Sequence, residues 1–435
     1  MTQSRLRAGL DRPYLIAVTR LLSAFLSLAS AFVLARALGP EGRGQIATAI
    51  AVTTLLPIVL GIGIPLVVRR ETARAGSPDQ VVRTARRFAL LVTGPAIAIG
   101  FICSTTFLGS LDSGAQLAFI ISASTAPASV LWICDANVLF AQGRSAAFAL
   151  TDLLPTGVNV ALIVVGAMVS DLTVTYAIVV NWVASIATLI LTSWLVRVPL
   201  RGDARSLRST LEEGIRYSGS QIAEMASHRL DQVLALPVVG AFQAGLYSVA
   251  ATVALLPLAL GQALGASSYR SFARARDEVD ASVRSTVVLR VAFVTACVAV
   301  APMAAVSPWL VPFALGRAFE DAVVPVLLSL LGSLALVVSY VASVALAARG
   351  RGWIMTVAQV IGLVAGISAL ILLAPPLGAV GLSLASTIGY WACAFVCVGA
   401  IRPTLRELAP RPSDLRRSVQ LLFSRVDDSG SPDLS

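Results

Sequence analysis

The sequence predicts an all-α polytopic membrane protein of about twelve transmembrane helices, arranged as two parallel six-helix bundles around a central cavity. Three observations predict it: a composition unlike that of soluble domains, apolar stretches long enough to span a bilayer, and a repeat relating the two halves. Of the 435 residues, 57% are apolar and 13% charged, against roughly 45–50% and 25% in soluble domains. The net charge is +10, and all 33 basic residues are Arg. A nucleic-acid partner would need those charges gathered on one water-facing domain. Here they stand in short runs between apolar stretches, which argues against that class.

About 20 apolar residues cross a hydrocarbon core about 30 Å thick as a helix. Twelve stretches qualify, at 14–35, 45–68, 88–109, 117–140, 147–169, 174–196, 217–239, 245–268, 286–308, 323–348, 354–374 and 382–401. The organisation expected is a first bundle over 1–200, a cytoplasmic linker over 201–216, a second bundle over 217–401 and a cytoplasmic tail over 402–435. The tail is polar and Pro-broken, with a disordered end expected from Asp427 to Ser435. The N-terminal apolar run holds Arg20 and lacks a small-residue cleavage site, so it reads as an uncleaved first span.

Orientation follows from the arginines. With the N-terminus in the cytoplasm, inner segments collect 28 of the 33: Arg5, Arg7 and Arg12, six over Arg69–Arg87, Arg144, five over Arg197–Arg216, five over Arg270–Arg290, Arg349, Arg351 and six in the tail. Outer loops hold Arg36, Arg43 and Arg317, and Arg20 and Arg229 lie inside spans. Both termini are therefore expected in the cytoplasm, with the inner arginines available to anionic lipid. All five cysteines fall within spans, so no disulfide framework is implied.

The repeat shows in the punctuation. At an offset of 200, the run Leu55 to Gly61 with Pro57 meets Leu255 to Gly261 with Pro257, and Arg70 and Arg74 meet Arg270 and Arg274. At 201, Gly39 and Gly44 meet Gly240 and Gly245. Further on, Leu108-Gly109 is echoed by Leu315-Gly316. An even number of spans in each half gives a parallel repeat about an axis along the membrane normal, with a cavity between the halves.

Six charges cannot be placed in loops: Arg20, Asp135, Asp152, Glu224, Arg229 and Asp231. At about 2.5 kcal/mol each they total roughly 15 kcal/mol before pairing, so water or partners must surround them. In the seventh span Gln221, Glu224, His228 and Asp231 fall at i, i+3, i+7 and i+10, an arc of about 80° and a stripe ~15 Å long. The 201 offset carries these four onto Arg20, Ser23, Ser27 and Ser30. Matched polar faces on two related helices suit a hydrophilic cavity; helix–helix hydrogen bonding is the alternative, and it covers the serines better than the charges. Arg229 flanks the stripe. Asp152, Thr156 and Asn159 share a face of the fifth span, and Asp135 with Asn137 lies toward the inner end of the fourth. Arg20, Asp135 and Asp152 sit at one depth, where opposite charges can pair. His228, Glu224 and Asp231 are also candidates for proton coupling.

With no Lys there is no Walker loop, and one His without a Cys cluster gives no His- or Cys-based metal site. No cofactor is expected. Every outer loop is short, whereas membrane glycosyltransferases and glycan polymerases usually carry a large one. Transport leads, and catalysis is not expected.

The stretch Ala35-Arg36-Ala37-Leu38-Gly39-Pro40-Glu41-Gly42-Arg43-Gly44-Gln45 resembles the hairpin between the first two spans of polysaccharide exporters and O-antigen flippases. These belong to the multidrug/oligosaccharidyl-lipid/polysaccharide exporter superfamily. Arg229-Leu230-Asp231 through Gly240 to Gly245-Leu246-Tyr247-Ser248-Val249-Ala250 is similar to its second-half counterpart. Leu315-Gly316-Arg317-Ala318-Phe319 and Pro376-Leu377-Gly378-Ala379-Val380-Gly381-Leu382 resemble two later turns of that family. The resemblance runs over roughly 14–401. It implies a flippase carrying a polyprenyl-diphosphate-linked oligosaccharide across a bacterial plasma membrane by alternating access, with a glycan polymerase and glycosyltransferases as partners. Arg20 and Arg229 would hold phosphate or sugar, and the seventh-span stripe would bond sugar. Related lipid II flippases have an Arg in the first span but fourteen spans and a cationic cavity; the acidic excess here points instead to a surface-polysaccharide repeat unit. Two other readings stand beside it: a cation-coupled multidrug antiporter of the same superfamily, and a membrane scaffold of a glycan-assembly complex that transports nothing.

Overall fold

The first apolar run is too long to cross a bilayer once. In a computed structural model it forms one helical element, α1 (Pro13–Gly61), of 49 residues, ~70 Å at 1.5 Å per residue. Gly39 breaks it, with φ 66° and ψ −175°, a backbone region open essentially only to glycine. The structure describes residues 13–75, 78–169, 172–199, 201–273, 277–402 and Asp414. Arg5, Arg7, Arg12, Arg274, Arg276 and the tail end Asp427 to Ser435 lie outside the described residues.

The described residues form fourteen α-helices and one 3-10 turn, with no strand among them. After α1 come α2 (Ile64–Ala75), α3 (Asp79–Leu91), α4 (Thr93–Thr106), α5 (Ser113–Ser124), α6 (Ala126–Ala141), α7 (Ser145–Met168) and α8 (Val174–Val196). Then follow α9 (Leu207–Ala254), α10 (Leu258–Ala273), α11 (Glu278–Leu315), α12 (Val323–Ala348), α13 (Gly352–Leu377) and α14 (Ala379–Ile401). Gly240 breaks α9 with φ 81° and ψ 169°, so the repeat seen in the sequence is also a repeat of backbone conformation. Eight helical stretches are long and apolar enough to cross a membrane, or ten with the bent pairs α3–α4 and α5–α6 each taken as one crossing. The breaks at Gly39 and Gly240 divide two of these into two legs each, which gives the twelve spans expected.

Helix starts follow local chemistry. Asp112, Thr173 and Asp277 have extended backbones, and their side-chain oxygens accept from Ala115 N, Tyr176 N and Asp280 N, satisfying first-turn donors. Two departures from the expected pattern are local. The segment expected as an inner loop is helical over 69–75 and 79–87, and the third and fourth spans are bent by 45° and 44°.

The chain divides into two compact units, Met1–Gly245 and Leu246–Ser435; the first leg of α9 is grouped with the former. The first unit buries Ile64, Val67, Val82, Phe88, Val130 and Val138 in one cluster, and Leu34, Ile46, Ile163 and Val180 in another. The second is centred on Leu264, Phe272, Leu289, Val337, Val341 and Cys397. Many large apolar side chains outside these cores face outward, among them Phe101, Met168, Trp309, Phe313 and Leu372, which suits a hydrocarbon solvent.

Candidate functional site

The first leg of α9 is amphipathic in a way that fixes which side faces the core. Ala223, Ala226 and Val233 are buried, and at 100° per residue they lie opposite the arc of Gln221, Glu224, His228 and Asp231. Those four polar residues are all half-buried. The Asp231 carboxylate accepts from Gln232 N at 2.7 Å, and Arg229, also half-buried beside the stripe, donates from Nη1 to Gln232 Oε1 at 3.2 Å. Gln232 in turn gives its carbonyl to the hydroxyl of Thr48 at 3.0 Å, within a buried contact. The seventh span is thereby tied to the second.

On the first leg of α1 the structure brings together three residues that the sequence separates by up to 132 positions. Arg20 Nε lies 3.9 Å from Asp152 Oδ2, with both side chains partly exposed. Ser23 Oγ donates to the Asp152 carbonyl at 3.5 Å. Ser27 is exposed and accepts at its carbonyl from Ser30 Oγ at 2.9 Å. Thr156 and Asn159, one and two turns along α7 from Asp152, are half-buried. Asp135 does not join this group through any described bond. It is buried on α6, accepts from Ser193 Oγ at 3.4 Å, and belongs to the packing of α6 on α8. Asn137 donates to the Ile133 carbonyl of its own helix.

Two features that the sequence reading left unassigned frame these faces. At the turn after Gly39, a Cβ on Gly44 would overlap the Ala241 carbonyl, and one on Gly245 would overlap the backbone of Pro40. The two repeat-related turns therefore touch backbone to backbone, with Arg43 buried beside them. The glycine repeat was the signal for this contact. Further along, a Cβ on Gly63 would overlap the Gly214 carbonyl. There Glu213 accepts from Arg70 and, at 3.1 Å, from Arg205, which also lies 3.5 Å from Glu71. Sequence periodicity carries no sign of that ion network, because its members are on three different segments.

What the arrangement offers chemically is hydrogen-bond donors, acceptors and unlike charges on two helices otherwise suited to lipid. The fold is that of transporters of the MOP superfamily. It matches an inward-facing multidrug resistance MATE family transporter of that superfamily with a TM-score of 0.70 at 15% identity, over 93% of this chain and 98% of that one. It matches the lipid II flippase MurJ in an inward closed conformation with a TM-score of 0.70 at 13% identity, over 94% and 92%. A third match is a MOP superfamily transporter from Pyrococcus furiosus Vc1 (DSM3638), described by a binding pocket of reversed polarity, with a TM-score of 0.54 at 14% identity over 95% and 98%. No curated protein matches. Residues 33–324 match the family model described as "Polysaccharide biosynthesis protein", and the chain belongs to that family.

Proposed function

We propose that this multi-pass membrane protein is a flippase that moves a polyprenyl-diphosphate-linked oligosaccharide, the repeat unit of a surface polysaccharide, from the inner to the outer leaflet of a bacterial plasma membrane. The observation that carries the reading is the polar stripe Gln221, Glu224, His228 and Asp231, held half-buried in an apolar helix of a polysaccharide-biosynthesis family member. Intramembrane charges cost about 2.5–3.5 kcal/mol each on insertion scales, so a stripe of them is retained where it serves a path. In this reading the sugar bonds the stripe, the diphosphate meets Arg20 and Arg229, and the lipid tail stays in the bilayer. Asp135, Asp152 and Asn159, with Ser23 and Ser27, complete the polar lining. The protein carries its substrate without chemical change, works beside a glycan polymerase and glycosyltransferases, and keeps both termini in the cytoplasm.

Reconstitution into vesicles with a fluorescent lipid-linked oligosaccharide tests it. Transbilayer movement is expected, and Asp231→Ala together with Gln221→Ala should slow it at least tenfold while leaving the fold intact. Vesicles in which the wild type flips nothing would overturn the reading and favour a scaffold. A second reading, a cation-coupled drug antiporter, is favoured by the acidic excess among the intramembrane charges. It predicts export of cationic dyes that Glu224→Gln abolishes, with no movement of the lipid-linked sugar.

A further inference from the structure

The last turn of α8 collects an unusual number of arginines. Arg197 Nε donates to the Trp194 carbonyl at 3.1 Å, and Arg144 Nη1 to the Leu195 carbonyl at 3.0 Å. Just beyond, Arg86 Nη1 donates to the Val198 carbonyl at 2.6 Å and Arg83 Nε to the Pro199 carbonyl at 3.0 Å. Four guanidinium groups thus bond four carbonyls within a stretch of six residues. A helix C-terminus supplies only about half a negative charge. Asp79 accepts from Arg83 at 3.2 Å, and the buried Asp135 carboxylate acts on Arg86. Those two carboxylates answer two of the four cations. Arg144 and Arg197 are both exposed and have no carboxylate partner among the described residues. Elsewhere Arg70, Arg205, Arg284, Arg290, Arg349 and Arg351 each have one.

A second observation says what lies beside these two arginines. Along α8 the exposed residues Val179, Val183, Ile190 and Trp194 recur every three or four positions or a multiple of that, opposite the buried Ala177, Val180, Ala184, Thr188 and Thr192. This outward stripe is apolar and ends on Trp194, a residue type that marks the bilayer interface. Arg197, the next position on that face, takes a left-handed backbone at φ 48°, and its guanidinium carbon stacks 4.7 Å from the centre of the Trp194 ring. With Nε bonded to a carbonyl, its two terminal nitrogens remain to form the paired bonds that a phosphate accepts.

We propose that Arg144 and Arg197, at the Trp194 end of α8, bind the phosphate headgroup of an anionic phospholipid of the Arg-rich leaflet, whose acyl chains lie along Ile190 and Val183. The occupant is a lipid because the two exposed arginines stand at the end of an apolar stripe that hydrocarbon would cover and a soluble anion would leave bare. The site is separate from the polar stripe of α9, so it does not depend on what the protein transports.

The full-length protein, purified in detergent, is titrated with phosphatidylglycerol or phosphatidylcholine, and bound lipid is counted by native mass spectrometry. Phosphatidylglycerol should be retained in preference. Arg144→Gln with Arg197→Gln should weaken it by about fivefold per arginine removed, leaving phosphatidylcholine unchanged. The exposed pair Arg74→Gln with Arg87→Gln should change it less than twofold, and equal losses from both pairs would mean diffuse charge and overturn the site. Arg144→Lys with Arg197→Lys preserves charge and removes the forked donors; it should weaken retention too, and unchanged retention would overturn the geometry. That variant also decides the matter if the glutamine pair does not fold. Inorganic phosphate at millimolar concentration should not displace the lipid, and displacement would mean a simple anion site.

Discussion

Arg290 and Asp414 form an ion pair at 2.6 Å with side chains only 4% and 0% exposed. Removing one partner of such a pair strands the other, at a cost of about 3–5 kcal/mol, whereas replacing both by apolar groups is often neutral. Arg290→Met should therefore lower the thermal unfolding midpoint in detergent sharply, and Arg290→Met with Asp414→Leu should recover most of the loss. A single variant no less stable than wild type would show that the pair contributes nothing. In the sequence Arg290 is one more cation of an inner segment and Asp414 one more polar residue of the tail. No periodicity reports a contact between residues so far apart. The α9 stripe was legible for the opposite reason, since its members share one helix and a 3.6-residue period places them. Arg20 with Asp152 lies between: equal depth in the membrane made them candidates for pairing, but depth alone also nominated Asp135, which the structure gives instead to Ser193.

At the scale of elements, glycines act in two distinct ways, and substitution should separate them. Gly39 has a glycine-only backbone but nothing within 4 Å of a built Cβ. Gly39→Ala should then cost about 1–3 kcal/mol of backbone strain while the turn still docks. Gly44→Ala meets the Ala241 carbonyl, and backbone cannot rotate away as a side chain can. It should push the two turns apart. Cysteines placed at Glu41 and Gln243 should cross-link readily in wild type and in Gly39→Ala, and slowly in Gly44→Ala. Equal rates in all three would refute the docking of these turns. The glycines stood out in the sequence because they recur at a fixed offset. The 45° and 44° bends did not, although each has a mark: Pro95 follows Val92, and Pro127 follows Thr125. Proline removes a donor and crowds the preceding turn, but in apolar runs this long, hydropathy alone joins the two pieces into one span.

For the whole molecule the apolar count made the all-α membrane class legible, because twelve stretches leave almost no chain for anything else. Sidedness rests on a different quantity, the distribution of arginine. Translocating Lys or Arg across the membrane is disfavoured, and the segments expected on the inner side hold 28 of the 33. The structure adds a reason for some of that excess. Arg83 donates to the carbonyls of Pro199 and Asp203, and Thr84 to that of Arg205, so α3 clamps the chain that leads from α8 into α9 on the same side as the Glu213 network. These contacts require the segments over 69–87 and 197–216 to share one face of the membrane, whatever that face is. Ser110, in the exposed turn between α4 and α5, should lie on the other. The test uses cysteine at either place: the native cysteines lie in helices, and four of the five are buried, so background labelling is low. In intact cells a membrane-impermeant maleimide should label Ser110→Cys at once and Arg201→Cys only after permeabilisation. The reverse pattern would invert the topology and place the arginine clamp outside, where the flippase reading could not keep it.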